Sequence, residues 1–338
     1  MSRLKRNGLG FLGLVMIAAG LSGHLARSYV VIGPGPAEEL SAMVSVENGV
    51  KNAKGAFLLT AVTSNPANLA SSVAALLSPV VDVVPRSREI PKGMDTKKYL
   101  RIMESMMRES QVVAGTVALR KLGYHVKVET VVRVEELLQN SPARGLLQEG
   151  DVILAVDGKP VKTADEAVRS IGARRAGKPV VLTVKRNERV ESYTIRTVVH
   201  PEDKARAAVG ILVSPSIKYE PPVKINIDSR DIKGSSAGLM FALEILNQLD
   251  PRDLTGGEII AGTGTIGLDG TVGPVAGVKQ KVAAAERAGA TLFLAPLENE
   301  QAARMGARTI RVAGIRDIDG ALAALDEVAG RKNGTLGE

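Results

Sequence analysis

Two short stretches contain residue types that could do chemistry together. The first is Gly234-Ser-Ser-Ala-Gly238. It runs into an apolar segment, Ala237–Leu249, that predicts a helix ending at Asp250-Pro251. Its small residues let another part of the backbone approach the helix N-terminus, where free N–H groups and a partial positive charge can stabilise an oxyanion. Either serine of this stretch is therefore a candidate nucleophile, although a serine here could also simply be an N-cap.

The second stretch places a lysine on the inward face of another predicted helix. The segment Val278–Ala288 has helical periodicity, and its first residue, Val282 and Ala285 form the inward face at i, i+4 and i+7. Lys281 lies on that face, whereas Lys279 points elsewhere. Burying an ammonium is costly unless it is paired or loses its proton. A lysine kept neutral in this way could act as general base for a serine.

The ordered motifs around these residues resemble the proteolytic domain of the Lon family. The resemblance covers roughly residues 205–330 and rests on Gly234–Gly238, Thr263-Gly-Thr-Ile-Gly-Leu-Asp-Gly270, Gly277-Val-Lys-Gln-Lys-Val-Ala-Ala-Ala284 and Phe293-Leu-Ala-Pro-Leu-Glu-Asn299. It implies an α+β proteolytic domain, which we bound at residues 201–338. Asp269-Gly270 also predicts a hairpin turn within it.

The family resemblance implies a Ser–Lys dyad. By motif position Ser236 is the nucleophile, Lys281 is the base and Thr263 supports the lysine. The chain departs from the family pattern at Lys233, where an acidic residue is usual, and at Ser235, where proline is usual. Ser235 could therefore share or replace the role of its neighbour.

Around this dyad we expect Gly234, Ser235 and Lys233 to act as supporting residues. A second positive charge near Lys281 would lower its pKa. We therefore predict that Lys233 helps to keep the base neutral.

The middle of the chain resembles a PDZ domain, which we bound at residues 125–200. The resemblance rests on the stretch from Asn140 to Val161, with a short helix expected after Ser141-Pro142 and a hairpin at Asp157-Gly158. It implies binding of an extended peptide by strand addition, although the usual Gly-Leu-Gly loop is not evident. The alternative is a spacer between membrane and protease.

The N-terminus has the features of a membrane anchor. Basic residues at positions 3, 5 and 6 precede an almost wholly apolar run from Gly8 to Leu25, near the minimum length for a membrane span. The charges predict a cytoplasmic N-terminus and an extracytoplasmic body. A cleaved signal peptide is the competing interpretation, and it would release a soluble secreted form. We favour the anchor because a cut after Ala26 would place His24 where a small residue is preferred.

Residues 28–124 are predicted as a β/helical region leading into the PDZ domain. It should contain strands at 42–46 and 56–62, joined by a turn at Asn48-Gly49, and a short amphipathic helix over Ala67–Leu77. A helix or helix pair is expected over Met94–Arg120, with Met103, Met106 and Met107 inside.

Composition excludes several function classes. The 338 residues contain no cysteine and three isolated histidines, so thiol chemistry, a metal site and a Ser-His-Asp triad are all disfavoured. The net charge of +8 is spread along the chain and aromatics make up only 3%, which argues against nucleic-acid binding. A P-loop-like run, Gly172–Lys178, ends at Pro179 where a Mg²⁺-binding hydroxyl is needed, so no ATPase is expected.

The sequence therefore predicts a multidomain α+β protein: an anchor (residues 1–27), the β/helical region (28–124), a PDZ domain and a Lon-type domain. We expect an ATP-independent serine endopeptidase without metal or cofactor, located at the cell membrane and acting on extracytoplasmic or membrane-associated proteins. The alternative is a membrane-tethered peptide-binding adaptor with an inactive Lon-like domain. Expected partners are protein or peptide substrates, the membrane and, as the family suggests, other copies of the chain in a homo-oligomer.

Overall fold

A computed structural model describes residue 16 and residues 20–51, 54–90, 94–200, 204 and 206–334. The chain divides into two compact units. The first, called here the discontinuous unit, combines Met1–His125 with Pro221–Glu338. The second, the inserted unit, is the intervening stretch Val126–Glu220.

The helices of both units are given first. Residues 20–28 are helical, and short 3₁₀ turns occupy Leu40–Ala42 and Leu297–Asn299. The α-helices after residue 28 are α1 (Leu69–Leu76), α2 (Arg86–Glu89), α3 (Thr96–Lys121), α4 (Ala164–Gly172), α5 (Gly238–Leu249), α6 (Val278–Arg287), α7 (Glu300–Gly306) and α8 (Ile318–Gly334).

The strands before residue 200 are β1 (Tyr29–Glu39), β2 (Val44–Val46), β3 (Ala56–Pro66), β4 (Asp82–Pro85), β5 (Lys127–Leu137), β6 (Val152–Val156), β7 (Lys159–Pro160), β8 (Pro179–Arg186), β9 (Arg189–Arg196) and β10 (Val198–Val199). Those after it are β11 (Ala207–Ala208), β12 (Ile211–Glu220), β13 (Ile225–Ile227), β14 (Ile259–Gly262), β15 (Thr265–Ile266), β16 (Val272–Gly273), β17 (Leu292–Pro296) and β18 (Arg311–Ile315).

A six-stranded sheet forms the centre of the discontinuous unit, in the order β18-β17-β14-β3-β1-β4. The neighbours from β18 to β3 are parallel, whereas β1 is antiparallel to both β3 and β4. All of β17 is buried, which is typical of a central parallel strand covered on both faces. Three of the six strands precede the inserted unit and three follow it. The sequence placed residues 28–124 in a region of their own, whereas the structure builds them into the sheet of the C-terminal half.

Helix α5 is almost wholly buried in the discontinuous unit. Every residue from Gly238 to Gln248 is buried, because the helix is apolar on nearly all sides. The Gln248 amide donates to Val44 O over 3.0 Å and accepts from Val46 N–H over 3.1 Å. These bonds tie α5 to β2, which pairs with β13. We expected β2 to be joined to β3 by a turn at Asn48-Gly49; Asn48 does have a left-handed φ of 60°, but β2 pairs with β13.

The inserted unit is built on the sheet β12-β5-β6-β8-β9, with β7 paired to β6. Its core collects alternating apolar residues of these strands together with Ala167 and Ile171 of α4. Helix α4 begins with a reciprocal capping box between Thr163 and Glu166. The predicted hairpin at Asp157-Gly158 is present, and β8 and β9 form a second hairpin.

Two local predictions were wrong. Met106 was expected to be inside but is 38% exposed, whereas Met107 is buried as expected. The reason is that α3 is a single long helix, and its solvent-exposed face includes Met106. The helix expected after Ser141-Pro142 is a series of turns. The Ser141 hydroxyl accepts from Ala143 N–H over 3.1 Å, a local bond that competes with helix formation.

The apolar N-terminal run lies mostly outside the described residues, which omit 1–15 and 17–19. Among the helices that the structure does describe, none combines the length and the apolar character needed to cross a membrane.

Candidate active site

The loop between β13 and α5 carries both candidate serines. Helix α5 begins at Gly238, its N-cap is Ala237, and no side chain caps it. Neither serine therefore serves as the N-cap of this helix. Gly234 has a φ of 89°, a left-handed conformation that favours glycine, and it turns the chain toward the helix.

Helix α3 fixes this loop from one side. The Gly234 N–H donates to Met103 O over 2.9 Å. The buried hydroxyl of Ser110 donates to Ser235 O over 3.2 Å. A Cβ on Gly238 would lie 2.8 Å from the Ser110 Oγ, so only glycine permits this close approach. The backbone on either side of Ser236 is therefore held in place.

Thr263 follows β14 at the carboxyl end of the strand. Its hydroxyl donates to Ser236 O over 2.9 Å, and the same carbonyl accepts from Gly264 N–H over 2.8 Å. The Thr263 side chain is 1% exposed. The sheet thus holds the carbonyl group of the candidate nucleophile from a second side.

Helix α6 brings Lys281 to the same point. The Lys281 Nζ lies 2.7 Å from Ser236 Oγ and 2.8 Å from Thr263 Oγ1, and donates to both. Lys281 is 4% exposed. The neighbouring apolar residues Val278, Val282 and Ala285 belong to a buried cluster, as the helical spacing predicted.

Burial lowers the pKa of Lys281 to about 8. Desolvation disfavours the charged ammonium, and no carboxylate of the described residues forms an ion pair with it. The Thr263 hydroxyl proton is already engaged with the Ser236 carbonyl, so this hydroxyl can only accept from Lys281. When Lys281 is neutral, one N–H can bind Thr263 and the lone pair can face Ser236 Oγ.

The structure gives no support to the prediction that Lys233 lowers the pKa of Lys281. Lys233 forms an ion pair with Glu104 of α3, and burial alone accounts for the Lys281 shift. The carboxylate of Glu104 offsets the charge that the hypothesis required. This carboxylate in turn has its pKa lowered by the hydrogen bond from Lys233.

Strand β4 holds helix α6 through one carboxylate. The Lys279 Nζ donates to Asp82 Oδ1 over 2.8 Å, and the Gln280 amide donates to Asp82 Oδ2 over 2.6 Å. These two residues directly precede Lys281, so Asp82 fixes the turn of helix that carries the candidate base. Sequence reasoning missed Asp82 and Glu104, because nothing local in the chain links either residue to the motif it contacts.

Two backbone N–H groups lie free beside the candidate nucleophile. In the described part of the chain, the N–H groups of Ser236 and Ala237 have no hydrogen-bond acceptor. Both precede the first turn of α5, where the helix dipole is positive. They are candidates for holding an oxyanion.

A cavity of about 300 Å³ extends along the same loop. It is lined by residues of β13, of the loop after it and of α3: Ile227, Asp228, Ser229, Arg230, Ile232 and Lys233, with Glu104, Met107, Arg108 and Gln111. A substrate side chain of mixed polarity could occupy this space.

The inserted unit offers a second candidate site at the edge of its sheet. Strand β12 pairs with β5 on one side only, and α4 contacts β12. The chain enters β12 through Gly210, which has a left-handed φ of 66°, and Ser141 Oγ donates to Val209 O over 2.8 Å. Sequence reasoning missed this Val209-Gly210-Ile211 turn, although its glycine between apolar residues at the start of a strand was a visible signal.

Comparisons with known proteins found family matches in two regions of the chain. Residues 117–197 match the PDZ domain family, and residues 226–312 match the Lon protease (S16) C-terminal proteolytic domain family. The chain is 48% identical over 67 residues to a Lon protease of Clostridioides difficile, a match that covers 20% of this chain and 8% of that protein.

Two further relatives were found. A Pseudomonas putida protein named "Probable periplasmic serine endoprotease DegP-like" is 32% identical over 78 residues, covering 23% of this chain and 16% of that protein. The PDZ domain of an SdrC-like protein from Listeria innocua is 26% identical, with 25% of this chain and 92% of that chain covered and a TM-score of 0.23. The chain thus spans less than a fifth of the length of these two curated relatives. Its two matched regions are similar to a PDZ domain and to a Lon-type C-terminal proteolytic domain.

Proposed function

We propose that the discontinuous unit is an ATP-independent serine endopeptidase in which Ser236 is the nucleophile and Lys281 its general base. One observation carries this proposal: a buried lysine, without a carboxylate partner among the described residues, lies 2.7 Å from a serine hydroxyl. A structural role would favour a paired, charged lysine, because an unpaired buried ammonium is unstable. A general base needs the neutral form that burial promotes.

The reaction follows from these positions. Neutral Lys281 takes the hydroxyl proton of Ser236 as Oγ bonds to the carbonyl carbon of the substrate peptide. The resulting oxyanion accepts from the N–H groups of Ser236 and Ala237. The lysine ammonium then protonates the leaving amine as the C–N bond breaks, which leaves an acyl-enzyme. Water, deprotonated by the neutral lysine, hydrolyses the ester and restores the serine.

The inserted unit has the role of binding extended polypeptide. An added strand on β12 would satisfy backbone groups that the edge leaves unpaired. PDZ domains use this mode of binding, so we propose that the unit selects protein substrates, while the dyad alone suffices for short peptides.

The location is proposed from the N-terminal sequence. An anchor within Gly8–Leu25, preceded by basic residues, would hold the body of the protein at the extracytoplasmic face of the membrane. Extracytoplasmic or membrane-associated proteins are then the substrate class.

A covalent serine probe tests the central proposal against the peptide-binding adaptor. We expect a fluorophosphonate to label the wild type and Ser235→Ala on the peptide that contains Ser236, and not to label Ser236→Ala. Cleavage of an unfolded protein substrate should follow the same pattern. Labelling of Ser236→Ala at Ser235 would overturn the nucleophile assignment, whereas an unlabelled and inactive wild type would favour the adaptor.

A deletion tests the role of the inserted unit. Lys127 and Glu220 are register partners in β5 and β12, so a short Gly-Ser linker can replace Val126–Glu220 without stretching the chain. Cleavage of short peptides should persist and cleavage of folded or long substrates should fall. Equal loss of both activities would assign the unit a structural role only.

A further inference from the structure

Helix α1 presents its apolar residues to the outside. Its outer face carries Leu69, Val73, Leu76 and, directly after the helix, Leu77, which are 40, 52, 85 and 85% exposed. Their spacing of i, i+4, i+7 and i+8 forms one continuous stripe along the helix. Isolated exposed apolar residues are ordinary, but a contiguous stripe marks an interaction surface.

The inward face of α1 is polar or small. Ser71 and Ser72 are partly buried and Ala75 is buried. The Ser72 hydroxyl is buried and has no hydrogen-bond partner among the described residues. Helix α1 is therefore amphipathic, but its apolar face points outward and its polar face points inward, the opposite of a surface helix in water. The stretch from Ala67 to Val81 contains no charged residue.

The end of the N-terminal apolar run lies against this helix. The Leu69 N–H donates to Ser22 Oγ over 3.3 Å, and Ser22 belongs to the helical residues 20–28. Leu21, on the same helical segment, is 50% exposed. Fifteen apolar-rich residues from Gly8 to Ser22 therefore lead directly to the start of the α1 stripe.

Residues suited to a membrane–water boundary surround the stripe. Tyr29 is 36% exposed, and its carbonyl accepts from Ala67 N–H over 3.0 Å, which places it beside the start of α1. Arg27 and Arg88 are exposed and lie next to the paired ends of β1 and β4. Tyrosine is enriched at the boundary between lipid and water, and arginine interacts favourably with anionic headgroups.

We infer that the stripe formed by Leu69, Val73, Leu76 and Leu77 docks into the headgroup region of the lipid bilayer, beside the point where the chain leaves the membrane. The inference rests on the anchor proposed above. An apolar environment removes the cost of exposing four large apolar side chains to water, and a helix lying in the interface would sink about 5–10 Å into it. The lipid surface, rather than a second protein, is the occupant because the apolar run of the chain ends at this helix.

Docking would also orient the catalytic helix. Helix α1 contacts β1 and β4, and Asp82 of β4 binds Lys279 and Gln280 beside the candidate base. The lipid surface would therefore lie one strand away from the helix that carries Lys281, on the side of β4.

Depth-dependent fluorescence quenching tests the surface in the full chain. The protein has no cysteine, so single-cysteine variants need no further change. Val73→Cys and Leu76→Cys, labelled with an environment-sensitive fluorophore, are reconstituted into phosphatidylcholine–phosphatidylglycerol vesicles containing lipids spin-labelled near the headgroup. Met305→Cys is the matched control, because Met305 is 72% exposed on α7, a helix that contacts β17 and β18 at the opposite edge of the sheet.

We expect the two α1 labels to shift to shorter wavelength and lose most of their fluorescence, and the Met305 label to do neither. Adding Leu76→Asp and Leu77→Asp should abolish quenching of the label at position 73, while flotation with vesicles and cleavage of a short peptide stay unchanged.

Each other outcome would overturn the inference. Flotation with unquenched, solvent-exposed α1 labels would refute the docking surface and leave the anchor standing. Labels that are shielded but not quenched by lipid would show that residues 8–19 or a second copy of the chain covers α1. A protein that does not float with vesicles would refute both anchor and docking. Peptidase activity is measured separately, so none of these results bears on the dyad.

Discussion

Two regions of the molecule hold a cation in opposite ways: Arg186 of the inserted unit is partly buried, and Lys281 of the discontinuous unit is buried. In the inserted unit, Arg186 donates to both carboxylate oxygens of Asp151, over 2.7 and 2.6 Å, and its guanidinium lies 5.6 Å from the centre of the Tyr193 ring. This hydrogen bonding raises the pKa of Arg186 further above its usual value. In the discontinuous unit, burial lowers the pKa of Lys281 to about 8.

The difference distinguishes a cation that stabilises the fold, Arg186, from a cation that could take part in a reaction, Lys281. A bidentate carboxylate fixes the guanidinium in one protonation state and one geometry, which suits a core but excludes proton exchange. Among the described residues, the Lys281 Nζ has only hydroxyl partners, which bind the ammonium and the amine alike. It can therefore gain and lose a proton near neutral pH, as a general base must.

The largest expected effect comes from replacing Lys281. Lys281→Met keeps the volume of the side chain and should lower kcat/KM by at least about 10³-fold, because nucleophile and base act as a unit. Ser236→Ala should lose as much, and the double variant no more than either. Ser235→Ala should keep substantial activity. Rates on one short peptide for these four variants make the measurement, and a Lys281→Met variant of wild-type activity would contradict the dyad.

Replacing Asp151, the carboxylate partner of Arg186, should lower stability rather than activity. Asp151→Ala removes the buried carboxylate that pairs with the partly buried Arg186, and it also removes the acceptor of Gln148 N–H. We expect the inserted unit to lose about 1–3 kcal/mol of unfolding free energy, with short-peptide cleavage preserved. Denaturant unfolding followed alongside activity separates the two effects. As a matched control, Glu188→Ala removes the carboxylate paired with Lys185 at an exposed position and should change stability little.

A smaller effect should follow from loosening the helix that carries the base. Asp82→Ala removes the acceptor of both Lys279 and Gln280. Misplacement of a reacting group by about 1 Å can cost up to 10²-fold in rate, so we expect a loss of roughly 10-fold in kcat with KM little changed. Lys279→Ala keeps the Gln280 bond and should cost less. Equal, unaltered rates for both variants would show that α6 needs no anchoring by β4.

The smallest effect concerns Lys233. Raising the pH through about 8 should increase kcat/KM, because the folded state of Lys281 loses its proton there and only the neutral amine accepts the serine proton. Lys233→Met should leave that acid limb unmoved, since Glu104 already offsets the charge of Lys233. The pH dependence of kcat/KM for both proteins makes the measurement. A limb displaced to higher pH in the variant would restore Lys233 as a tuning charge.

Local sequence patterns predicted much of the site. The position of Lys281 on the buried face follows from helical spacing, and the turn at Asp269-Gly270 follows from its residue types; β15 and β16 do pair across it. The short distances among Ser236, Thr263 and Lys281 agree with the order of the motifs.

Contacts between distant parts of the chain could not be predicted. Glu104 meets Lys233 across 129 positions and Asp82 meets Lys279 across 197, and no periodicity in a single sequence encodes such pairs. The same limit hid the shared sheet, because the strand pattern predicted at 56–62 does not show which distant strand it pairs with. For α1, spacing revealed an amphipathic helix but not which face would be outside.

The discontinuous order of the chain has a consequence for folding. Strands β3 and β14 pair in parallel, Ile259 with Ala56, across a separation that makes chain closure slow and entropically costly. The inserted unit is compact in itself and is synthesised whole before β14 emerges, so it can fold first. Its ends then meet at Lys127 and Glu220, and the intervening stretch acts as a loop of a few residues. The sheet that supports Thr263 closes only after residue 262 is made, so the proposed dyad can assemble only after the whole inserted unit has been synthesised.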